Sequence, residues 1–297
     1  MADLWADELH KKILLLRYKL RGKLFSERSE FQKVEIVETE GFGRMLFNDG
    51  VAMLSERDEF VYHEMISHVP LFLHRGVERV LVVGGGDGGT VREVVRHSGV
   101  RHCRLVEIDA AVVEGCKRYL PQTAAALEDP RVEVSIADGV AFVAETDERY
   151  DVVVVDSTDP VGPAEALFGP RFYAGVARVL NDGGMVVSQA ESPYFDIEQQ
   201  EALLGILGGL FERTHIYNYA TITYPGGLWS FTLAQKGDLC PIGDFDAGAV
   251  DCSGLDFNYY SAAVHNAAFV LPAFQQRRLE RLLTPFKIDP GGRSCES

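Results

Sequence analysis

The chain has 297 residues, of which 46% are hydrophobic and 25% charged, with a formal net charge of -15 at pH 7. That length supports a full core and suits one large domain with a smaller companion better than two equal ones. The acidic balance excludes nucleic acid, whose phosphates need a basic face, and it suits a cationic small molecule as well as plain solubility.

Residues 1–57 read as a β-rich domain. Lys33 to Glu38 alternates polar and apolar residues at the period of a half-buried strand. Arg44 to Phe47 and Val51 to Met53 flank Asn48-Asp49-Gly50, a tight-turn sequence that tolerates positive φ. Ser55 then precedes Asp58 at capping-box-like spacing, predicting a helix through Glu64 and Met65 towards Pro70. From Arg79 the pattern changes to continuous apolar runs at Val80 to Val83, Leu105-Val106, Val132 to Ile136, Val152 to Val155 and Met185 to Val187. Segments of helical length separate these runs. Strands buried on both faces and alternating with helices predict a parallel α/β sheet over 58–283. The Pro-, Gly- and Ser-containing end, 284–297, is expected to be a disordered tail.

Gly84, Gly86 and Gly89 satisfy G-x-G-x-x-G between the first buried strand and a helix, and Glu107 ends the next strand. This context resembles the dinucleotide fingerprint. Asp87, inside the loop, would repel a pyrophosphate but favour a sulfonium nucleoside, which carries positive charge and no phosphate. Glu107 offers two acceptor oxygens to ribose hydroxyls, and Asp138-Gly139 after the third strand would meet an adenine amino group. Each acid alone could cap a helix; at the ends of successive parallel strands, together, they favour an adenosyl site.

Val152 to Val155 delivers Asp156-Ser157-Thr158-Asp159-Pro160-Val161-Gly162-Pro163, a carboxylate cluster on a proline-stiffened loop. Such a cluster can receive ammonium groups. A protonated alkylamine, with pKa of about 10, has no lone pair for attack. A carboxylate in a dry cleft can take its proton, after which the amine can displace at the carbon beside the sulfonium.

These segments, with Asp49-Gly50-Val51, Glu56-Arg57-Asp58-Glu59-Phe60, Tyr62-His63-Glu64-Met65, Val106-Glu107-Ile108-Asp109, Thr223-Tyr224-Pro225-Gly226-Gly227 and Tyr259-Tyr260 with His265 and Ala267 to Pro272, resemble the signatures of spermidine synthases, the polyamine aminopropyltransferases. The likeness covers roughly residues 22 to 275. It implies a small N-terminal antiparallel β domain followed by a Rossmann-like methyltransferase-type domain, assembled as a homodimer or homotetramer. It implies decarboxylated S-adenosylmethionine as co-substrate with no further cofactor, a putrescine-like diamine as acceptor, and methylthioadenosine as product. Carried over by motif, Gln32, His63 and Asp87 hold the donor's aminopropyl end, Glu107 the ribose and Asp138 the adenine. Gly84, Gly86, Gly139 and Pro163 complete the donor site. Asp156 is the implied base, and Tyr62, Asp159, Gln189, Glu191 and Tyr224 line the acceptor pocket.

One departure from the family pattern stands out. Met53 and Leu54 replace two commonly polar residues near the entrance, either as neutral repacking or as an altered acceptor pocket. Cadaverine, agmatine and spermidine therefore remain candidate acceptors beside putrescine. The rival readings are a methyltransferase, an NAD-dependent oxidoreductase and a catalytically silent polyamine-binding protein. A methyltransferase gives Asp87 and the Asp156/Asp159 pair no clear joint task, the acid in the glycine loop disfavours an oxidoreductase, and Asp156 together with the whole donor constellation argues against a silent binding protein. Eight histidines show no metal-ligand spacing; His97, His102 and His215 read as surface or satisfied, and Tyr259, Tyr260 and Trp229 as core or subunit-contact aromatics. Five scattered cysteines (Cys103, Cys116, Cys240, Cys252, Cys295) lack a C-x-x-C and suggest neither zinc nor a disulfide framework. The acidic start and short apolar run (Ile13 to Leu16) are unlike a signal peptide, and no run reaches the ~18 apolar residues of a membrane span. The expected location is cytoplasmic.

Overall fold

The computed structural model describes residues 4–158 and 162–286. The N-terminal part is an antiparallel meander of five strands in sequence order: β1 (Leu4–His10), β2 (Leu14–Arg28), β3 (Lys33–Thr39), β4 (Arg44–Asn48) and β5 (Val51–Ser55). The β4–β5 turn places Asp49 and Gly50 at φ 47° and 84°, the positive values the Asn-Asp-Gly sequence predicts. The first hairpin is harder to read in sequence. Register shifts at Leu20/Gly22 and Lys23/Phe25 break the two-residue period of the long β2.

Helix α1 (Glu59–Leu73) joins this meander to the second sheet and is buried on nearly every turn. It continues past Pro70 to Leu73. Its start also departs from the predicted capping box. Ser55 donates to Asp58 at 2.7 Å, but the Asp58 carboxylate makes no cap bond. It accepts instead from Thr221, from the backbone of Ile222 (2.8 Å) and Thr223 (3.0 Å), and from the Thr223 hydroxyl. These bonds hold Asp58 below the usual carboxylate range despite burial, and they tie the start of α1 to a distant turn.

The second sheet has seven strands: β6 (Arg79–Gly84), β7 (His102–Glu107), β8 (Val132–Ile136), β9 (Tyr150–Asp156), β10 (Leu180–Gln189), β11 (Arg213–Ala220) and β12 (Leu228–Gln235). Their spatial order is β11-β12-β10-β9-β6-β7-β8. The five apolar runs form the parallel part. The predicted all-parallel sheet is corrected at one edge, because β12 runs antiparallel to both β10 and β11. Strand β11 carries Thr214, His215 and Asn218, and β12 carries Ser230, Thr232 and Gln235, all buried, so neither reads as an apolar run. Helices α2 (Gly89–Val95), α3 (Ala110–Tyr119), α4 (Pro121–Ala124), α5 (Gly139–Glu145), α6 (Pro170–Val179) and α7 (Ile197–Gly208) accompany the sheet, and α8 (Ala247–Cys252), α9 (Ala262–Ala268) and α10 (Ala273–Leu279) follow it. Val80, Val82, Val152 and Val154 face one core layer; Leu81, Val83, Val153 and Val155 face the other.

Three further expectations change. Thr284 bonds both ways with the Thr214 backbone and Phe286 packs on His215, so the chain is ordered against β11 past 284; residues 287–297 lie outside the described residues. His215 is neither superficial nor satisfied: it is buried, no hydrogen bond is made by either ring nitrogen among the described residues, and burial pulls its pKa down to about 3. Cys103, Cys116 and Cys252 are free, whereas Cys240 is disulfide-bonded. Among the described residues no helix is long and apolar enough to cross a membrane.

The chain reverses its direction of strand addition between β6 and β9, whose last residues, Gly84 and Asp156, stand side by side. In an open α/β sheet this switch point opens the crevice where ligands bind. Gly84 has φ 81°, and a Cβ there would collide with the Asp156 backbone carbonyl. Gly84→Ala should therefore destabilise the fold by more than about 3 kcal/mol, through left-handed strain and overpacking combined. Chemical denaturation would measure this, and a loss below about 1 kcal/mol would contradict the close packing.

Candidate active site

A cavity of about 370 Å³ lies between the meander and the carboxyl ends of β6, β7 and β9, within the usual size of a small-molecule site. The glycine loop makes room for three functional side chains. A Cβ on Gly85 would sit 2.6 Å from Oδ2 of Asp156, one on Gly86 would sit 2.8 Å from Cγ of Glu107, and one on Gly89 would enter the ring of His63. The G-x-G-x-x-G spacing thus admits side chains from β9, β7 and α1 to the backbone.

Asp156 ends β9 with both oxygens engaged. Tyr62 Oη donates to Oδ1 at 2.8 Å and Thr90 Oγ1 donates to Oδ2 at 2.6 Å. Burial raises its pKa and the charge of Asp87 raises it further, against the lowering effects of His63 and the two hydroxyls. Asp87 lies at the start of α2, where Oδ1 accepts from the Gly89 amide at 2.8 Å and stands 3.3 Å from Nε2 of His63. The other ring nitrogen of His63 is 2.6 Å from Glu59, one turn earlier in α1. Burial opposes charge on this imidazole, but Asp87 and Glu59 outweigh it and push the pKa up to about 10. His63 is an imidazolium at neutral pH. Glu59 is burdened by burial yet held down to about 2 by His63 and by Arg92, which grips it with a two-pronged bond of 2.8 and 2.9 Å.

Glu107 ends β7 and accepts from the amides of Gly86 (3.1 Å) and Asp109 (2.9 Å). Burial dominates over these bonds and raises its pKa to about 7. Asp138 caps α5 through the Val140 amide at 2.7 Å while also lining the cavity beside Gly139. The wall carries Glu8, Asp49, Asp87, Glu107, Asp138 and Asp156 and, among the described residues, no lysine or arginine. His63 on this wall is neutralised by its two acidic partners, Glu59 and Asp87. Ligand atoms of His63, Asp87 and Asp156 approach within 4.8 Å of one another, a spacing that could hold a metal. A metal would need neutral His63, whereas Glu59 and Asp87 keep it protonated, so the carboxylates suit an organic cation better.

The cavity brings together Gln32, Tyr62, His63, Gly84, Gly86, Asp87, Glu107, Asp138, Gly139, Asp156, Gln189 and Tyr224, as the sequence suggests. Glu191 stands behind the wall instead of on it: at φ 60°, it accepts from Nε2 of Gln189 at 3.1 Å. Asp159 and the side chain of Pro163 lie outside the described residues. Met53 lines the cavity and its carbonyl accepts from Tyr224 Oη at 2.7 Å, but Leu54 is buried in the core and does not reach the cavity. Trp229, expected to be a core or contact aromatic, also faces the cavity, with Nε1 donating to the Pro225 carbonyl at 2.9 Å. Sequence reasoning missed Glu8, His10, Phe31, Asn48 and Tyr219. The alternating burial of Ala6, Glu8 and His10 was the available signal for two of them, legible only once β1 is recognised as a strand.

Residues 4–56 match the spermidine synthase tetramerisation domain and residues 59–243 match the spermine/spermidine synthase domain. The chain is 46% identical to a polyamine aminopropyltransferase of Bacillus subtilis (strain 168), covering 92% of this chain and 98% of the relative. It is 42% identical to one of Shouchella clausii (strain KSM-K16), covering 94% and 100%. A crystal structure of spermidine synthase in complex with the transition-state analogue AdoDATO superposes with a TM-score of 0.91 at 38% identity, covering 94% of this chain and 95% of that one. The Thermotoga maritima spermidine synthase superposes at 0.88 with 37% identity, covering 93% and 94%.

The charge on His63 has a pH signature. Because its folded pKa lies above the ordinary 6.5, its contribution to stability is full below pH 6.5 and is lost as pH rises through about 10. Melting temperatures should fall across that interval more steeply for the wild type than for His63→Asn. Parallel curves would show that His63 is not the buried cation described.

Proposed function

Because the chain belongs to the spermidine synthase family, enzymes that transfer aminopropyl groups, we propose that it moves the aminopropyl group of decarboxylated S-adenosylmethionine to putrescine. The carrying observation is the wall of six carboxylates with, among the described residues, no lysine or arginine, gathered around a half-buried Asp156 whose pKa is raised by desolvation. Both substrates are cationic, and such a wall attracts them while repelling the pyrophosphate of a dinucleotide.

Glu107 takes the ribose hydroxyls, Asp138 and Gly139 the adenine, and Gln32, His63 and Asp87 surround the aminopropyl end. Asp87 pairs with the donor ammonium. The diamine occupies the side walled by Tyr62, Gln189, Tyr219, Tyr224 and Trp229, with Glu8 supplying a carboxylate for the far ammonium. Asp156 removes a proton from the near ammonium, and burial makes this carboxyl a better base than a free one. The freed lone pair attacks the methylene bound to sulfur. As the new C–N bond forms, the C–S bond breaks with its electron pair passing to sulfur, leaving methylthioadenosine as a neutral thioether. The proton leaves through Asp156 to solvent. The positive charge at sulfur passes to the new secondary ammonium and is spread between sulfur and nitrogen in the transition state, so a cavity closed to water favours the step. The outer face of the first hairpin exposes Leu9, Ile13 and Leu15 (61%, 74% and 54%), an apolar surface suited to a homodimer or homotetramer built through the meander.

Supplied with decarboxylated S-adenosylmethionine and equimolar putrescine, cadaverine, agmatine and spermidine, the protein should extend putrescine first and release methylthioadenosine, both followed by mass spectrometry. Extension of another amine would move the acceptor assignment to that amine, and Met53 would be the first residue to exchange. If no amine were extended, the reading would fail. Asp156→Asn should lower kcat by about 10²–10⁴-fold while changing donor affinity little. Equal losses in both would remove Asp156 from the role of base.

Glu107 supplies a separate check. It must be ionised to accept from both ribose hydroxyls, and its pKa is about 7. Methylthioadenosine affinity should therefore strengthen as pH rises through about 7. Glu107→Gln should bind more weakly and lose that pH dependence in calorimetry.

A further inference from the structure

The turn between β1 and β2 has an unusual backbone. Ile13 N donates to the His10 carbonyl at 3.0 Å, closing a tight turn whose inner residues, Lys11 and Lys12, have φ 49° and 63°. Asn and Gly populate this left-handed region readily; two consecutive lysines are held there only when the surroundings demand it. The hairpin's own twist favours such a turn, and it carries Lys11 Nζ across the molecule to pair with Oδ1 of Asp196. The Lys11 side chain is 36% exposed and that of Asp196 only 2%. Asp196 precedes α7 at its N-cap position, yet its carboxylate makes no cap bond, and Oδ2 finds no hydrogen-bond partner among the described residues. A buried carboxylate that forgoes its own helix depends heavily on its one cation.

The pair stands beside the wall assigned above to the diamine. The preceding residue, His10, lines the cavity and meets Phe195 edge-to-face at 5.0 Å between ring centroids. Phe195 in turn packs where a Cβ on Gly226 would lie 2.7 Å away, and Gly226, at φ 79°, follows Tyr224 and Pro225 of the wall. Glu8, two residues earlier on the same face of β1, also reaches the cavity.

We propose that the Lys11–Asp196 ion pair is a latch that holds the first hairpin over the diamine side of the cavity, making Lys11 a positioning residue for the acceptor and not for the donor. The inference rests on the acceptor assignment above. When the latch opens, Glu8 and His10 leave the wall together, because β1 carries both. The adenosyl side, built on β6, β7 and β9, is untouched.

The test is steady-state kinetics of Lys11→Met, with putrescine and decarboxylated S-adenosylmethionine varied separately, beside amide hydrogen exchange over residues 8–13. The putrescine KM should rise about tenfold, as the closed fraction falls to about a tenth, with kcat and the donor KM little changed. Exchange over β1 should quicken. Lys11→Arg should restore both readouts, and Asp196→Asn should reproduce the Lys11→Met pattern without adding to it in the double variant. An unchanged putrescine KM, or equal rises for both substrates, would overturn the latch. Should the wild type extend no amine, the functional reading falls, and unaltered β1 exchange in folded Lys11→Met would then overturn the latch independently.

Discussion

The site depends on how closely one backbone can approach three side chains. Between Gly84 and Gly89 the chain passes against Asp156, Glu107 and His63, which arrive from β9, β7 and α1. A methyl group at Gly85, Gly86 or Gly89 would displace a carboxylate or an imidazole. The parallel registry of β6 with β9 sets Gly84 beside Asp156, so sheet pairing and site assembly are one event. The loop's sequence is conditioned from outside as much as from within.

The second constraint is electrostatic. Two half-buried carboxylates, Asp87 and Asp156, stand close together, the charge of Asp87 raises the proton affinity of Asp156, and a cavity lined with acids would discharge itself by binding protons. His63 counters this as a permanent cation, and Glu59 with Arg92 sustains that cation from behind. The chain Arg92–Glu59–His63–Asp87 alternates in sign, so the acids at its open end can meet a positive ligand. Such alternation lets a strongly acidic surface remain charged inside a largely apolar enclosure.

Much of this was legible in sequence because it lies at the ends of apolar runs. A continuous hydrophobic strand that stops at a glycine or an acid marks a parallel sheet and its ligand edge together, as at Val83-Gly84, Val106-Glu107 and Val155-Asp156. Where burial is achieved by polar residues, the reading failed. Strands β11 and β12 bury threonine, serine, asparagine and glutamine, among which Asn218 and Ser230 are satisfied through Gln200 and Gln275. Asp58 resembles a helix start in sequence, but apart from Ser55 its partners Thr221, Ile222 and Thr223 lie more than 160 residues away. Long-range partners likewise hide Lys11, whose backbone is unremarkable until Asp196 is seen beside it. Leu54 and Met53 are neighbours with opposite fates because adjacent residues on β5 face opposite sides of the sheet.

The cavity has walls of two origins. One is the edge of the large sheet, where glycines leave almost no latitude. The other, including Glu8, His10 and Met53, belongs to a meander that has its own small core of Tyr18, Val37, Met45, Phe47 and Ala52. Changes on the meander side need not disturb the glycine loop. On the assignment made above, the choice of amine can drift over evolutionary time while the sulfonium chemistry stays fixed. A single ancestral transfer reaction can thereby be tuned to new acceptors at Glu8, His10 and Met53 while the aromatic wall of the large domain is kept.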